Sequence, residues 1–279
     1  MGSRDFWRRV RRDKMLMVGA GLVLLLALLA VGADVIAPHD PYEQYVTERL
    51  LPPGRDFLLG TDWAGRDLLS RLIFGARITL SIAFAVVALA GSAGVLVGLL
   101  AGYIGGALDS AIAGVVDMLF AFPALALAMA IAVLLGVSTR NLILALAIIY
   151  APTMVRVTRG AVLAVREQEY VNAALAAGCT TSRVLFRYIL PNVMAPVLVQ
   201  LTLGFSWTVL SEAGLTYLGF GAQAPDASWG MVLNEGRSTL MLSPWASLWA
   251  GIFIAVSVLG FNFLGDGLRD VLDPTLRNR

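Results

Sequence analysis

From Ile78 to Leu108 the chain carries no charged side chain. A helix crossing the roughly 30 Å hydrocarbon layer needs about 20 mostly apolar residues. This run alone therefore commits the chain either to a membrane or to an unusually large buried core. Composition decides between them. Of the 279 residues 58% are hydrophobic and 14% charged, and the mean hydropathy is +0.77, whereas a soluble domain carries about 25% charged residues. So little polar surface cannot cover the chain in water. Further runs of the same kind are Met15 to Ile36, Ala111 to Val137 interrupted only by Asp117, and Asn141 to Val155 continuing past Arg156. Two more are Val193 to Tyr217, with Glu212 inside it, and Pro244 to Leu264. The expectation is an all-α integral membrane protein with six transmembrane helices in one domain; no internal repeat or low-complexity segment divides it.

Basic residues near span ends set orientation. Arg4 to Lys14 holds six of them immediately before the first span, and the apolar run after it is too long for a cleaved signal peptide. The sequence thus predicts a cytoplasmic basic tail over 1–14, a first transmembrane helix over 15–37 and an extracytoplasmic loop over 38–77. A membrane core over 78–265 comes next, with a cytoplasmic loop at 160–191 and an outer loop at 219–243. The tail 266–279 returns to the cytoplasm. Arg156 to Pro191 carries five arginines against two glutamates, in keeping with that side. The loop 38–77 strains the rule, with five arginines on the outside. It also has six acids, alternating with arginines in "GTDWAGRDLLSR", so it reads as folded and internally paired.

Several chemistries are excluded by what the chain lacks. Lys14 is the only lysine, and it has no glycine-rich neighbourhood, so no Walker-type phosphate loop is possible. Work done by this protein must be driven by an ion gradient or by a partner. One histidine, His39, and one cysteine, Cys179, rule out an internal disulfide or a Cys/His metal cluster. His39 lies between Pro38 and Pro41 and reads as structural. No nucleophile–base pair suggests an enzyme.

The passage "NAALAAGCTTSRVLFRYILPN", residues 172 to 192, is polar-edged and turn-bearing in an otherwise greasy chain. Leu163, Tyr170, Val171, Ala174 and Leu175 recur at helical spacing and predict one apolar face. The adjacent face, with Glu169, Ala173, Ala176 and Ala177, is mostly small. Gly178 suits the left-handed position that ends a helix, and Thr180, Thr181 and Ser182 offer oxygens to cap another. In the second helix Val184, Leu185, Tyr188 and Ile189 form a stripe, Arg183 and Arg187 share another side, and Pro191 is expected to stop it. The product is a short helical hairpin. A DNA-binding role does not suit a membrane-embedded chain with two arginines here. A simple connector and a docking element for a cytoplasmic motor both fit the geometry.

The same stretch resembles the EAA loop of ABC-importer permeases, written E-A-A-x3-G-x9-I-x-L-P. Asn172-Ala173-Ala174, Gly178 and Tyr188-Ile189-Leu190-Pro191 keep the spacing throughout. Asn172 stands where the motif has glutamate, with Glu169 nearby, and Tyr188 stands where isoleucine is usual. "LGTDWAGRDLLSRLIFGARITL", "DMLFAFPALALA", "LSEAGLTYLGFGAQAPDASWG" and "GFNFLGDGLRDVLDPTLR" are similar to the C-type subunit of the dipeptide/oligopeptide/nickel permeases. The resemblance implies a type I importer fold in a bacterial or archaeal inner membrane. It implies a coupling loop in which Glu169, Asn172, Ala173, Ala174, Gly178, Arg183, Arg187, Leu190 and Pro191 meet an ATP-binding subunit. The implied partners are a paralogous permease, two ATP-binding subunits that hold ATP and Mg, and an extracytoplasmic solute-binding protein. No cofactor in this chain and no nucleic acid are implied. Peptides are the commonest cargo of the group; nickel, glutathione and oligosaccharides stay open.

Acids inside a membrane cost roughly 2.5 to 3.5 kcal/mol at the centre, so each calls for an account. Asp117, some 9 Å into its span at 1.5 Å per residue, is a pathway or gate candidate with Phe120, Phe122 and Pro123, or else a tie to a neighbouring helix or arginine. Glu212 either contacts substrate or pairs with an outer-loop arginine. These two acids also support a rival class, an ion-coupled secondary transporter, which has no reason to keep the coupling-loop spacing. Asp62, Arg66, Asp67, Asp226, Trp229 and Glu235 are candidates to receive the binding protein, with membrane anchoring the other role open to Trp229. Asp266, Arg269 and Asp270 read as a solvated charge cluster.

Overall fold

The structure, a computed structural model, describes residues 13–223 and 225–272. Most of the basic tail 1–14 and the end of the tail 266–279 thus lie outside the described residues. The chain forms α1 (Lys14–Val31), a short turn α2 (Ala33–Ile36), α3 (Leu68–Ile104), α4 (Gly106–Phe120), α5 (Ala124–Leu135) and α6 (Thr139–Arg166). Beyond these come α7 (Glu169–Ala176), α8 (Thr181–Tyr217), α9 (Trp229–Arg237) and α10 (Trp245–Leu272). Helices α1, α3, α6, α8 and α10 are each long and apolar enough to cross a membrane; α4 and α5 pass the test only together. The all-α expectation holds, and the count of six holds if that pair is one span.

That pair corrects the expected third span. Pro123 does more than bend a continuous helix: α4 and α5 meet at 91°. Proline lacks an amide hydrogen and its ring crowds the carbonyl a turn earlier. Pro123 adopts an extended backbone and becomes the residue from which α5 starts. Helix extents also differ from the apolar runs. Helix α3 begins ten residues ahead of Ile78, where the Asp67 carboxylate accepts from Ser70 N at 2.9 Å and caps it. The weakest predicted span is a full helix of 28 residues capped by Ser138, and α10 runs on past Leu264 to Leu272.

Close approach of backbones holds the bundle together. In lipid the hydrophobic effect does not drive helices together, and small residues that admit tight packing take its place. Gly94, Gly98 and Gly102 recur every four residues on the α3 face that meets α6. A Cβ at Gly98 would sit 2.7 Å from Thr158 Cβ, and one at Gly102 2.8 Å from Val162 Cβ. Helix α1 approaches α10 in the same manner, with Gly267 against Leu16. Helix α8 packs against α6 and α10 and so joins the two pairs. At one end of the bundle the loop 38–67 and α9 form a cap; at the other lies the hairpin of α7 and the start of α8.

Candidate functional site

The hairpin is built from its turn outward. Helix α7 ends with Gly178 at φ +75°. Gly178 N donates to Leu175 O at 2.9 Å and Cys179 N to Ala174 O at 3.1 Å, the paired bonds of a Schellman turn. Val171 packs in one buried cluster with Val184, Leu185 and Ile189 and with Leu99 and Val162, and Ala174 on the same helix is buried too. The packed face therefore matches the predicted stripes, except that Tyr170 and Leu175 lie exposed. On the free face Tyr170, Leu175 and Phe186 present apolar surface beside Glu169, Asn172, Ala173, Arg183 and Arg187, all exposed.

Two local expectations are corrected. Thr180 holds the cap position, but its side chain makes no capping bond. Pro191 does not stop the helix. A π-helical turn over Val184–Ile189 precedes it, in which Leu190 N donates to Leu185 O, five residues back. The widened turn makes a new first turn for the long remainder of α8, where a missing amide is tolerated. Leu190 is half-buried and Pro191 exposed.

At the cap end, Asp62, Arg66, Arg71 and Glu235 form one buried network. Arg66 Nε lies 2.7 Å from Asp62 Oδ2, and Arg66 Nη2 2.6 Å from Glu235 Oε2. Arg71 pairs with Asp62 and, at 2.7 Å, with Glu235. Asp62 further accepts from the amides of Ala64 and Arg66. Asp67 serves as the α3 cap and faces His39 Nδ1 at 3.5 Å. Trp229 is fully buried, its Nε1 donating to Leu72 O at 2.9 Å and its N to Thr79 Oγ1 at 3.2 Å. The expected docking role is corrected for Asp62, Arg66, Asp67, Trp229 and Glu235. Apart from Asp67 Oδ1, which is buried without a hydrogen-bond partner, their polar groups are engaged inside the chain, and little or none of their surface remains. Asp226 keeps some surface. The loop is paired as expected, though across to α9 as well as within itself. Arg71, 1% exposed, is not singled out by sequence; its partner Glu235 lies 164 positions away.

Glu212 is fully buried and accepts from Thr216 Oγ1 at 2.9 Å and, at 3.4 Å, from Thr79 Oγ1. Among the described residues it pairs with no arginine, and it lines neither of the two clefts along α8. In place of an arginine the carboxylate is held by two hydroxyls, which tie α3 to α8. Asp266, Arg269 and Asp270 are exposed, as a solvated cluster would be.

The remaining candidates gather at the α4–α5 break. Asp117 Oδ1 lies 2.7 Å from Arg156 Nη2, with side chains 69% and 58% exposed. The Arg156 guanidinium sits 4.3 Å from the centroid of the Phe120 ring. One turn away, Arg159 grips Asp109, its Nη2 at 2.6 Å from Oδ2. Phe120 and Phe122, with Tyr150, Gln200 and Trp207, line a cleft of about 280 Å³. Tyr150 Oη donates to Gln200 O at 2.5 Å, and its ring stacks on Trp207. A second cleft of about 390 Å³, lined by Val157, Pro196 and Arg269, shares Gln200 and Leu203 with the first. The two are thus neighbours along α8 towards the hairpin end. Pro123 joins them only through the break that it causes.

Residues 94–278 match the family described as "Binding-protein-dependent transport system inner membrane component". Residues 3–53 match the "N-terminal TM domain of oligopeptide transport permease C". The chain is 39% identical over 275 residues to the dipeptide transport system permease protein DppC of Alkalihalophilus pseudofirmus, covering 99% of this chain and 90% of that one. It is 42% identical over 281 residues to the di/tripeptide transport system permease protein DppC of Pseudomonas aeruginosa, at 99% and 93% coverage. The glutathione transport system permease protein GsiD of Pectobacterium atrosepticum is 37% identical over 276 residues, at 99% and 92% coverage.

Proposed function

Because the chain belongs to the family of binding-protein-dependent transport system inner membrane components, we propose that it forms half of an ATP-driven import pathway for di- and oligopeptides. It is a multi-pass, non-catalytic permease subunit of an ABC importer and works in a complex with other subunits. In our reading those subunits are a paralogous permease, two ATP-binding subunits that hold ATP and Mg, and an extracytoplasmic solute-binding protein. The hairpin end faces the cytoplasm and the cap end the outside, with both termini cytoplasmic. The peptide cargo is taken from the names of the relatives.

The observation that carries the coupling role is the free face of the hairpin. A connector has no reason to leave Tyr170, Leu175 and Phe186 bare next to two exposed basic side chains, Arg183 and Arg187. Exposed apolar surface rimmed by charge marks a place where another protein sits. The π-helical turn continues this hairpin directly into the rest of α8, so a push on the free face reaches the clefts along one stiff element. A two-state change of the pathway requires that ATP favour one state by a real differential free energy, and α8 is the route by which this chain would receive it.

Reconstitution tests the reading. Proteoliposomes holding the whole complex and given a dipeptide with its binding protein accumulate it when ATP is inside. Uptake that survives removal of the ATP-binding subunits and tracks a proton gradient would sink the importer reading in favour of an ion-coupled carrier. Uptake of nickel chelates or oligosaccharides but not of peptides would correct the cargo alone. Glutathione, itself a tripeptide with charged termini, is the second cargo to try, on the strength of the 37% identical relative.

A further inference from the structure

The α4–α5 break interrupts a run that is otherwise apolar enough to cross a membrane. Irregular backbone at such a place is tolerated only where protein or water covers it, because bare amides and carbonyls in lipid are costly. Here the exposed side chains beside the break are not lipid-like either. Asp117 and Arg156 are both more than half exposed, and ionised groups facing lipid are strongly disfavoured. Next to them opens the aromatic cleft of Phe120, Phe122, Tyr150 and Trp207. An open ion pair, a broken backbone and an apolar cleft at one spot describe a wet surface able to meet a ligand with charged ends and an apolar body.

The polarity of the break is matched to such a ligand. Helix α4 ends there, so its last carbonyls give a partial negative charge; α5 begins there, and its first amides give a partial positive one. The first amides of a helix have no intrahelical partner, and at α5 no side chain of the cap residue Pro123 takes their place. Arg156, 4.3 Å from the ring of Phe120 at the end of α4, adds a full positive charge beside the break, and Asp117 in the last turn of α4 a full negative one.

We propose that the α4–α5 break is a recognition point for zwitterionic peptides in transit. Arg156 and the first amides of α5 take the terminal carboxylate, Asp117 and the last carbonyls of α4 take the ammonium, and the aromatic cleft takes a side chain. The proposal rests on the peptide reading of the cargo. Its physical merit is exchange. A ligand with both termini charged replaces one ion pair by two and leaves no charge bare at any stage. The site can therefore select such a ligand without holding it in a deep well. Discontinuous helices serve charged ligands by this same use of helix ends.

The assembled transporter in proteoliposomes, with a dipeptide as probe, tests it. Arg156→Gln and Asp117→Asn each lower uptake about tenfold, the scale of losing one charged hydrogen bond. Stimulation of ATP hydrolysis by the loaded binding protein persists. The reversed pair, Asp117→Arg with Arg156→Asp, restores the interhelical tie but sets each charge beside a helix end of opposite sign, so that the two cancel instead of acting together on the ligand, and uptake stays low. Full uptake by the reversed pair or by either single variant overturns the proposal and leaves the pair a strut. Should these variants fail to assemble, Phe122→Cys in a Cys179→Ser background decides. A water-soluble thiol reagent labels that cysteine, and the dipeptide slows labelling several-fold. No labelling, or labelling indifferent to the dipeptide, overturns the proposal. Absence of peptide uptake by the unaltered transporter is a different outcome, and counts against the peptide cargo itself.

Discussion

Gly178 shows how much one residue can reveal. At φ +75° a β-branched side chain is strained by about 1–3 kcal/mol. A Cβ there would meet nothing within 4 Å, so the cost is conformational and not a clash. Gly178→Val is expected to leave the bundle assembled, to distort the turn between α7 and α8, and to separate ATP hydrolysis from uptake. The ratio of peptide imported to ATP hydrolysed should fall about fivefold or more, the factor that 1 kcal/mol commands; an unchanged ratio would remove the turn from the coupling argument. Arg71 shows the opposite case. Nothing local marks it, since its value lies in Glu235 and Asp62 meeting it from two other segments. Taking one partner from a buried pair leaves a charge bare and costs about 3–5 kcal/mol. Glu235→Gln should accordingly lower the unfolding temperature of the complex and expose the 38–67 loop to protease. A wild-type melting curve would show that Arg66 and Arg71 are satisfied by Asp62 alone. Sequence alone assigns this glutamate, Asp62 and Arg66 to a docking protein because exposed and internally paired charges look alike in one dimension.

Among the elements, helices were legible as apolar runs, but their ends were not. Hydropathy marks where lipid contact stops, whereas helix ends are set by caps and by the need to satisfy amides. Hence α3 reaches back to Asp67 and α10 forward to Leu272, through polar residues. The α4–α5 break was half legible: Pro123 announces a disturbance, yet the 91° angle depends on what the two halves pack against. The Gly94, Gly98, Gly102 series gives the clearest element-scale prediction. A Cβ at Gly98 would come within 2.7 Å of Thr158 Cβ, 2.8 Å of Val155 O and 3.1 Å of Arg159 N, and the α6 backbone that supplies two of these atoms cannot yield locally. Gly98→Leu should force α3 from α6, costing about 1–3 kcal/mol as overpacking does, and reduce recovery of the folded chain in detergent. Gly114→Ala, in open space on α4, is the matched control and should be recovered normally.

For the molecule as a whole, the packing divides labour between two sets of helices. The aromatic cleft is lined by α4, α5, α6 and α8, and the second by α6, α8 and the end of α10, whereas α1 packs on α10 and α3 and lines neither. The cap network ties the start of α3 to α9, and α9 in turn packs on α10. Helix α1, the cap and the stretch of α10 before Arg269 therefore act as a frame, against which the helices around the aromatic cleft can shift. Composition alone revealed neither set, because both are equally apolar; only which faces meet distinguishes them. The division can be tested at Gly19, where an added Cβ would run into the backbone of Phe263 and Leu264. Gly19→Leu should push α1 off α10 and lower the yield of assembled complex several-fold, consistent with about 1–3 kcal/mol of overpacking. Uptake per assembled complex should stay within about twofold, since about 0.4 kcal/mol is all that a twofold change represents. A large loss of uptake in complexes that do assemble would mean that α1 moves with the pathway and that the frame extends no further than the cap.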